Sequence, residues 1–228
     1  MDHKALTIID LSRTLETDMP QSAALPRFEI APYMAKAAGA RVNCNILSLA
    51  EHMGTHCDAP FHIFSDGQSI DQLTVDAFVG NGVVLNFTHM TGKSVISAVD
   101  LERQEKVQNI QLETGDIVLI HTGFDDRHWT AGSRITEKIK DRPTLGLDAA
   151  EFMNSRGIKA VGLDTGSPDI SGTELPVHQH LLKHQILIIE SLTNLDLLPD
   201  TGFLFVALPL KIKGGSGSPV RAVAIIFN

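Results

Sequence analysis

The sequence predicts an α/β fold in a single domain that spans residues 1–228. Strand-like apolar segments alternate along the chain with segments of helical spacing, which is typical of α/β domains. A strand, a helix and a second strand follow one another at 158–164, 175–185 and 186–190. Because this order indicates a parallel pair, we expect parallel strands within a mixed sheet.

Eight segments are predicted as strands because apolar and β-branched residues fill them or alternate in them: 6–11, 41–49, 82–87, 115–121, 158–164, 186–190, 203–212 and 220–227. Four segments have the apolar spacing or the termini of helices: 69–78, 95–107, 148–156 and 175–185. Gly80 is expected to end the first helix. Asp148 is predicted to cap the third and Gly157 to end it, and Pro176 opens the fourth.

Three segments have no regular pattern. Pro20 and Pro26 make 14–27 a predicted loop, and 28–40 is compatible with more than one structure. The polar and aromatic segment 124–143 contains the only tryptophan, Trp129. We expect it to form a long loop with some helix, which makes it a candidate wall of a functional site.

A glycine-rich segment, 214–218, has the composition of a flexible linker but joins two predicted strands. A domain boundary there would leave roughly ten residues behind it, too few to fold alone. The segment is therefore predicted to form a hairpin loop, or a glycine-rich wall beside a ligand.

The composition excludes several classes of protein. Hydrophobic residues make up 43% of the chain and charged residues 20%, so the chain is expected to be globular. Its formal charge is −8 and no basic run is present, which argues against nucleic acid or an anionic membrane as a partner. Cys44 and Cys57 cannot form a disulfide framework. The chain has neither a signal-peptide pattern nor an apolar run of membrane-span length, so the expected compartment is the cytoplasm.

One short stretch contains three histidines and an aspartate at even positions: His52, His56, Asp58 and His62. A helix would turn the last two away from the first two, whereas alternate residues of an extended segment share one face. Gly54 and Pro60 also disfavour a helix. We therefore predict an extended, bent segment whose imidazoles and carboxylate meet in one cavity and bind a metal.

Neutral imidazole and carboxylate ligands suit zinc first, then manganese or iron(II). Cys57 falls on the opposite face and is not counted as a ligand. The alternative interpretation is a surface loop that happens to be rich in histidine.

Two residues beyond this stretch have open roles. Glu190 ends a run of branched aliphatic residues, and a buried carboxylate requires a compensating partner. That partner could be a salt-bridged Arg or Lys. His178 lies at the start of the preceding helix, where surface exposure is the default and proximity to Glu190 is the alternative.

The segment from His52 to Phe64, His-x-Gly-Thr-His-x-Asp-Ala-Pro-x-His-x-Phe, closely resembles the signature of the metal-dependent cyclase-family hydrolases. These include kynurenine formamidases and isatin hydrolases. Weaker similarities at 10–12, 162–167 and 217–222 extend the resemblance over most of the chain. It implies a swivelling β/β/α-type fold and a homodimer or higher homo-oligomer whose sites share residues across the interface.

The resemblance also implies roles for individual residues. One metal would be held by His52, His56 and Asp58, and Asp58 could bridge to a second metal held by His178 and Glu190. His62 would be the general base and acid. The rival of His178 is His180, and only the family's spacing of twelve residues to Glu190 favours His178. The expected cofactor is one or two Zn²⁺ ions, with Mn²⁺ possible.

The expected activity is hydrolysis of a C–N bond in a small amide, with an aryl formamide such as N-formylkynurenine as the preferred substrate. The formamidases carry Trp-Pro-Gly-Asp where this chain has Asp18-Met19-Pro20-Gln21. This difference leaves open an isatin-like lactam, another cyclic amide or a lactone; a non-catalytic metal-binding protein is the other alternative. Candidate substrate contacts are the aromatic residues Phe28, Tyr33, Phe64 and Trp129.

Overall fold

The computed structural model describes residues 6–22, 24–129 and 141–227 of the chain. Within these ranges it forms thirteen strands: β1 (Leu6–Asp10), β2 (Glu29–Met34), β3 (Cys44–Ser48), β4 (His56–Asp58), β5 (Val79–Asn86), β6 (Val95–Ile96), β7 (Ile117–His121), β8 (Thr144–Leu145), β9 (Ala160–Leu163), β10 (Leu187–Glu190), β11 (Phe203–Val206), β12 (Gly217–Pro219) and β13 (Val223–Phe227). Its helices are α1 (Ala98–Gln108), α2 (Phe124–His128), α3 (Leu147–Ser155) and α4 (Pro176–Lys183). Single 3-10 turns lie at Lys36–Ala38, Pro60–His62, Val75–Phe78 and Leu195–Leu197.

Nine of these strands form one mixed sheet in the order β1-β13-β11-β5-β7-β9-β10-β4-β12. The central strands β5, β7, β9 and β10 are parallel, and the outer pairings are antiparallel. Leu187 of β10 lies beside Ala160 of β9, as expected for the predicted parallel pair. The predicted α/β fold with a mixed sheet is confirmed.

The central strands are buried on both faces, which explains their nearly continuous apolar sequences. Val83 and Leu85 of β5 pack into the cluster that includes residues of helices α1, α3 and α4. Val84, on the opposite face, packs in a second cluster with Phe205 of β11. None of the helices in the described ranges has the length and apolar character needed to cross a bilayer.

A separate two-stranded arm is formed by β2 and β3. Its strand β2 occupies much of the segment 28–40 that the sequence left open, and β3 falls within the predicted strand 41–49. Every residue of both strands is exposed, including Ile30, Ile46 and Leu47. The arm therefore presents an apolar surface that residues 6–22, 24–129 and 141–227 leave exposed.

The predicted helix at 69–78 is wrong, because only its last four residues form a 3-10 turn, Val75–Phe78. At the start of the segment, the hydroxyl of Ser69 donates to Asp71 and its backbone N–H donates to the side chain of Gln72. Such local side-chain bonds stabilise turns in competition with the helix.

The predicted cap of the third helix is also wrong. Gly146 is the N-cap of α3 and supplies no side-chain bond, whereas Asp148 lies inside the first turn. Its carboxylate instead accepts a hydrogen bond from the backbone N–H of Ala98, the first residue of α1. An aspartate near a helix start can thus serve a neighbouring helix, which local sequence does not reveal.

The two strands that the glycine-rich segment was predicted to join, β11 and β13, pair antiparallel, with a further bridge between Pro209 and Val220, as expected for a hairpin connection. The end of the segment also forms β12, which pairs with β4. A Cβ atom on Gly217 would lie 2.6 Å from the ring of His52. The segment therefore packs closely against the histidine-rich stretch.

Candidate metal centre

The candidate site lies where β4 is inserted between β10 and β12. His56 and Asp58 alternate with the buried Cys57, so both side chains point to one face of the sheet. In the antiparallel register, Glu190 of β10 lies opposite His56. Backbone pairing therefore places the carboxylate of Glu190 beside the imidazole of His56.

The predicted extended, bent segment from His52 to His62 is wrong in its extent. Only His56–Asp58 is a strand; Gly54 has a left-handed φ of 57° before it, and Pro60–His62 forms a 3-10 turn after it. The ring of His62 nevertheless lies 4.0 Å from that of His52 and 5.9 Å from that of His178, between centroids. Turns, and not strand alternation, bring the two outer histidines to the cluster.

The polar atoms of the cluster form two groups around two shared carboxylates. His56 Nε2 lies 3.6 Å from Asp58 Oδ1 and 3.4 Å from Glu190 Oε2. His178 Nε2 lies 3.4 Å from Asp58 Oδ2 and 3.3 Å from Glu190 Oε1. Donor atoms on one tetrahedral zinc ion lie about 3.3 Å apart, since each is about 2.0–2.1 Å from the metal. The two groups thus have the spacing of metal ligands.

The remaining histidines, His52 and His62, each belong to one of the two groups. The ligand atoms of His52, His56 and Asp58 lie within 4.8 Å of one another, and so do those of Asp58, His62 and His178. Asp58 belongs to both groups. The structure therefore brings together all six residues that the sequence singled out.

Hydrogen bonds outside the cluster orient its imidazoles. Since a carbonyl oxygen can only accept, His56 Nδ1 donates to Gly54 O at 2.9 Å. His178 Nδ1 donates to Asp169 Oδ2 at 2.6 Å. In both rings, Nε2 is left facing the two shared carboxylates, as a metal ligand requires.

His52 has the opposite orientation. The hydroxyl of Ser216 donates to Glu51 Oε2 at 2.6 Å, so it accepts the bond from His52 Nε2 at 2.9 Å. His52 Nδ1 then faces Asp58 Oδ1 at 2.7 Å. Burial lowers the pKa of His52, but the hydrogen bond to Asp58 and the nearby carboxylates leave it raised.

The cluster concentrates negative charge in a buried place. Burial opposes ionisation of Asp58, yet hydrogen bonds from His178 and His52 hold its pKa well below the usual range. Burial likewise lowers the pKa of His178, but the hydrogen bond to Asp169 and the nearby carboxylates of Asp58 and Glu190 raise it to about 12. The environment therefore strongly favours a positive charge at the position that His178 Nε2 faces.

The buried carboxylate of Glu190 indicates whether a cation fits this site. Its Oε1 atom is buried and makes no hydrogen bond among the described residues, and His178 Nε2 lies 3.3 Å away. A buried carboxylate oxygen without a hydrogen bond is costly unless a positive charge lies beside it. With imidazole nitrogens at ligand spacing beside it, the donor set fits a divalent cation such as zinc or manganese.

His62 differs from His52 and His178 because its surroundings lower its pKa. Burial lowers its pKa from 6.5, and the neighbouring His52 and His178 lower it further, against the opposing effect of Asp58. The ring is therefore neutral at neutral pH, with a nitrogen available to accept a proton.

The candidate site opens into a cavity of ≈ 170 Å³. Its walls come from the loop before β2, the histidine-rich stretch, the end of α2 and the end of β10: Pro20, Gln21, Ser22, Leu25, His52, Met53, Gly54, His56, His128, Trp129, Gly166, Glu190 and Ser191. Trp129, a candidate substrate contact in the sequence, lies in this wall. The rest of the predicted loop, 130–140, lies outside the described residues.

The rival histidine His180 is elsewhere. Its ring packs on that of His184, with 4.4 Å between centroids, one helical turn further along the chain. Sequence reasoning did not identify Asp169, Glu51 or Ser216 as partners of the cluster. Asp169 falls in the loop between β9 and α4, and no local spacing links it to His178.

Comparison with known proteins identifies the family. The sequence model described as "Putative cyclase" matches residues 9–170. The chain belongs to the cyclase family. A kynurenine formamidase of Bacillus anthracis, a similar protein, is 30% identical over 216 residues, which cover 94% of this chain and 95% of the relative.

Solved structures also resemble this cyclase-family chain. Isatin hydrolase A from Labrenzia aggregata, bound to benzyl benzoate, has a TM-score of 0.86 and 27% identity, covering 98% of this chain and 94% of that one. Isatin hydrolase A from Ralstonia solanacearum has a TM-score of 0.85 and 26% identity, covering 97% and 92%. A predicted metal-dependent hydrolase from Bacillus stearothermophilus has a TM-score of 0.77 at 22% identity over 97% of this chain and 98% of that one, a likeness of fold.

Proposed function

We propose that this cyclase-family protein is a metal-dependent hydrolase that cleaves the C–N bond of a small amide, with an aryl formamide as the preferred substrate. The observation that carries the proposal is the pairing of His56 and His178 with two shared carboxylates at ligand spacing. The similarity to kynurenine formamidases over 94% of the chain supports the choice of substrate.

One or two divalent ions would be held in the proposed site, with zinc the first candidate and manganese the second. His52, His56 and Asp58 would hold one, and Asp58, His178 and Glu190 would hold a second. Such ions lower the pKa of water to about 7 and polarise a carbonyl oxygen. The residues of this chain hold the ligand atoms in place, since His56, His178 and His52 are each fixed by a second hydrogen bond.

His62 is proposed as the general base and acid. Its neutral ring lies beside the rings of His52 and His178 and has a lowered pKa. It would take the proton of the attacking water and return it to the leaving nitrogen, which stays bound to the aryl group. We expect His62→Ala to retain the metal and lose turnover by about a hundredfold or more. His89→Ala, at an exposed histidine outside the cluster, is the matched control.

A lactam is the second candidate substrate. The isatin hydrolases have TM-scores of 0.86 and 0.85 with this chain, and the chain has Asp18-Met19-Pro20-Gln21 in place of the formamidase motif. Gln21 lines the cavity. The difference therefore falls in the wall that a substrate would contact.

A homodimer is proposed for the assembly. The arm formed by β2 and β3 exposes Ile30, Ile46 and Leu47, and Tyr33 is 66% exposed. A second copy of the chain would cover this surface, in keeping with the interface-sharing sites that the family resemblance implies.

The function is tested with protein purified without chelator. We expect elemental analysis to find zinc or manganese, and turnover of N-formylkynurenine to exceed that of isatin. Activity on isatin alone would select the lactam. Metal content without hydrolysis of either, together with unchanged behaviour of His62→Ala, would favour the non-catalytic alternative.

A further inference from the structure

The cavity beside the candidate metal centre has one aromatic wall. Trp129 is the only tryptophan in the chain, and it lines the same cavity as His56 and Glu190. A small molecule whose reacting group lies at the cluster is therefore within reach of the indole.

Arg13 braces this indole. Its guanidinium carbon lies 4.9 Å from the centroid of the Trp129 ring, a cation–π distance. The Arg13 side chain is only 9% exposed, and its Nη2 atom donates a hydrogen bond to Asp126 Oδ1 at 2.6 Å. Arg13 is not one of the described residues that line the cavity. It therefore supports the indole ring without contacting a molecule bound in the cavity.

Hydrogen bonds fix the position of Arg13 relative to the histidine and carboxylate cluster. The backbone N–H of Arg13 donates to Thr55 Oγ1 at 2.8 Å, and Thr55 Oγ1 donates to Ser191 O at 2.7 Å. Thr55 precedes His56 and Ser191 follows Glu190. Asp126 also accepts a bond from Thr193 Oγ1 at 3.0 Å. The distance between the indole and the cluster is thus set by the same backbone that carries the proposed ligands.

The neighbours of Trp129 make the wall apolar. The indole packs against the small cluster of Met19, Phe28 and Met53. Met53 and Leu25 line the cavity as well. A planar aromatic ring gains both burial and stacking against such a wall, whereas an alicyclic ring of similar size gains burial alone.

We propose that Trp129, held by Arg13, is the residue that selects aromatic substrates by stacking on the ring that carries the amide. This inference rests on the proposed metal-dependent hydrolase, because it takes the cluster as the place where the amide is held. It adds the specificity determinant for that site.

Binding of two matched hydroxamates tests the proposal without requiring turnover. Benzohydroxamate and cyclohexanecarbohydroxamate carry the same metal-chelating group on an aromatic and an alicyclic ring. We expect the zinc-loaded protein to bind the aromatic compound about three- to tenfold more tightly by calorimetry. Because the chain has a single tryptophan, a change in its fluorescence on binding reports directly from this wall.

Variants separate the role of the ring from other effects. Trp129→Leu is expected to remove the preference between the two hydroxamates, while Trp129→Phe keeps it. Arg13→Met should weaken the preference and shift the tryptophan emission, and Arg13→Lys should restore part of it. If both hydroxamates bind with equal affinity and the emission does not change, the proposed role of Trp129 is overturned, while the proposed metal site stands. No binding of either compound overturns the metal site itself, and the inference falls with it.

Discussion

Asp169 holds His178 in place although it is not part of the cluster. One carboxylate oxygen accepts both the Nδ1 proton and the backbone N–H of His178, and the other accepts the backbone N–H of Val177. The same side chain thus satisfies two backbone donors at the start of α4, whose own N-cap, Leu175, supplies no side-chain bond. Helix capping and the orientation of the His178 ring are coupled through this one residue.

Asp169→Asn is expected to lower metal affinity by about 10- to 100-fold, because an amide cannot accept all three bonds and the His178 ring loses its fixed orientation. Metal-binding titrations of wild type and variant measure this loss. Asp66→Asn, at an exposed aspartate, is the control and should bind as wild type. An unchanged affinity in Asp169→Asn would remove the positioning role.

At the scale of residues, the sequence predicted which side chains meet but not how they are held. The pattern of His52, His56, Asp58 and His62 indicated one site because alternate residues of an extended segment share a face, although turns bring His52 and His62 to the cluster. The choice of His178 over His180 depended on family spacing, since both lie on α4. Asp169 escaped prediction because its contact with His178 spans a loop, which local spacing does not describe.

The elements differ in how far local sequence determines them. Helix α1 begins with a capping box in which Ser97 and Asp100 exchange hydrogen bonds, a local signal. The strand β4 has three residues, and its position depends on pairing with β10 and β12. The predicted alternation in 52–62 therefore extends too far, since Gly54 and Pro60 were used only as evidence against a helix and not as the limits of the strand.

The capping box of α1 gives a prediction about stability and pH. Hydrogen bonds from Ser97 lower the pKa of Asp100 below 3.8. A carboxyl whose pKa is lowered by folding stabilises the protein above the unfolded value, and this stabilisation is lost as pH falls through the folded value. Asp100→Asn should cost about 0.5–1 kcal/mol near neutral pH, and the difference from wild type should shrink below about pH 4.

Urea unfolding at several pH values measures this effect. Glu102→Gln, an exposed position on the same helix, is the control and should change stability little. A difference between wild type and Asp100→Asn that stays constant down to about pH 2 would contradict the assignment.

The arm formed by β2 and β3 gives a prediction about assembly. If a second copy covers it, Ile46→Lys places a charge in an apolar interface and should weaken dimerisation by at least about a hundredfold. Sedimentation velocity on wild type and variant measures the change. Val107→Lys, at an apolar residue of α1 that is 70% exposed, should remain dimeric. A monomeric wild type would refute the proposed dimer.

At the scale of the whole molecule, the alternation of strands and helices predicted the α/β class and the parallel pair of β9 and β10. The order of the nine strands could not be predicted from local sequence patterns, since β1 pairs with β13 and β4 with β12 across most of the chain. These long-range pairings join both ends of the sequence to the sheet that carries the site. The candidate site is thus a product of the complete fold, although four of its six residues lie in the short stretch 52–62.

The buried charges of the cluster would link the proposed metal binding to the stability of the whole domain. Asp58 is 1% exposed and Glu190 is 5% exposed, and Glu190 Oε1 has no hydrogen-bond partner among the described residues. A cation that binds only the folded state stabilises it by about 2.7 kcal/mol at a hundred times its dissociation constant.

For a domain of this size, removal of the metal with a chelator should therefore lower Tm by about 5–10 °C. Calorimetry before and after dialysis, with metal restored in a third sample, measures the shift. Glu190→Gln should bind metal weakly and show a much smaller shift, and an equal Tm for chelated and metal-loaded wild type would contradict a metal at this cluster.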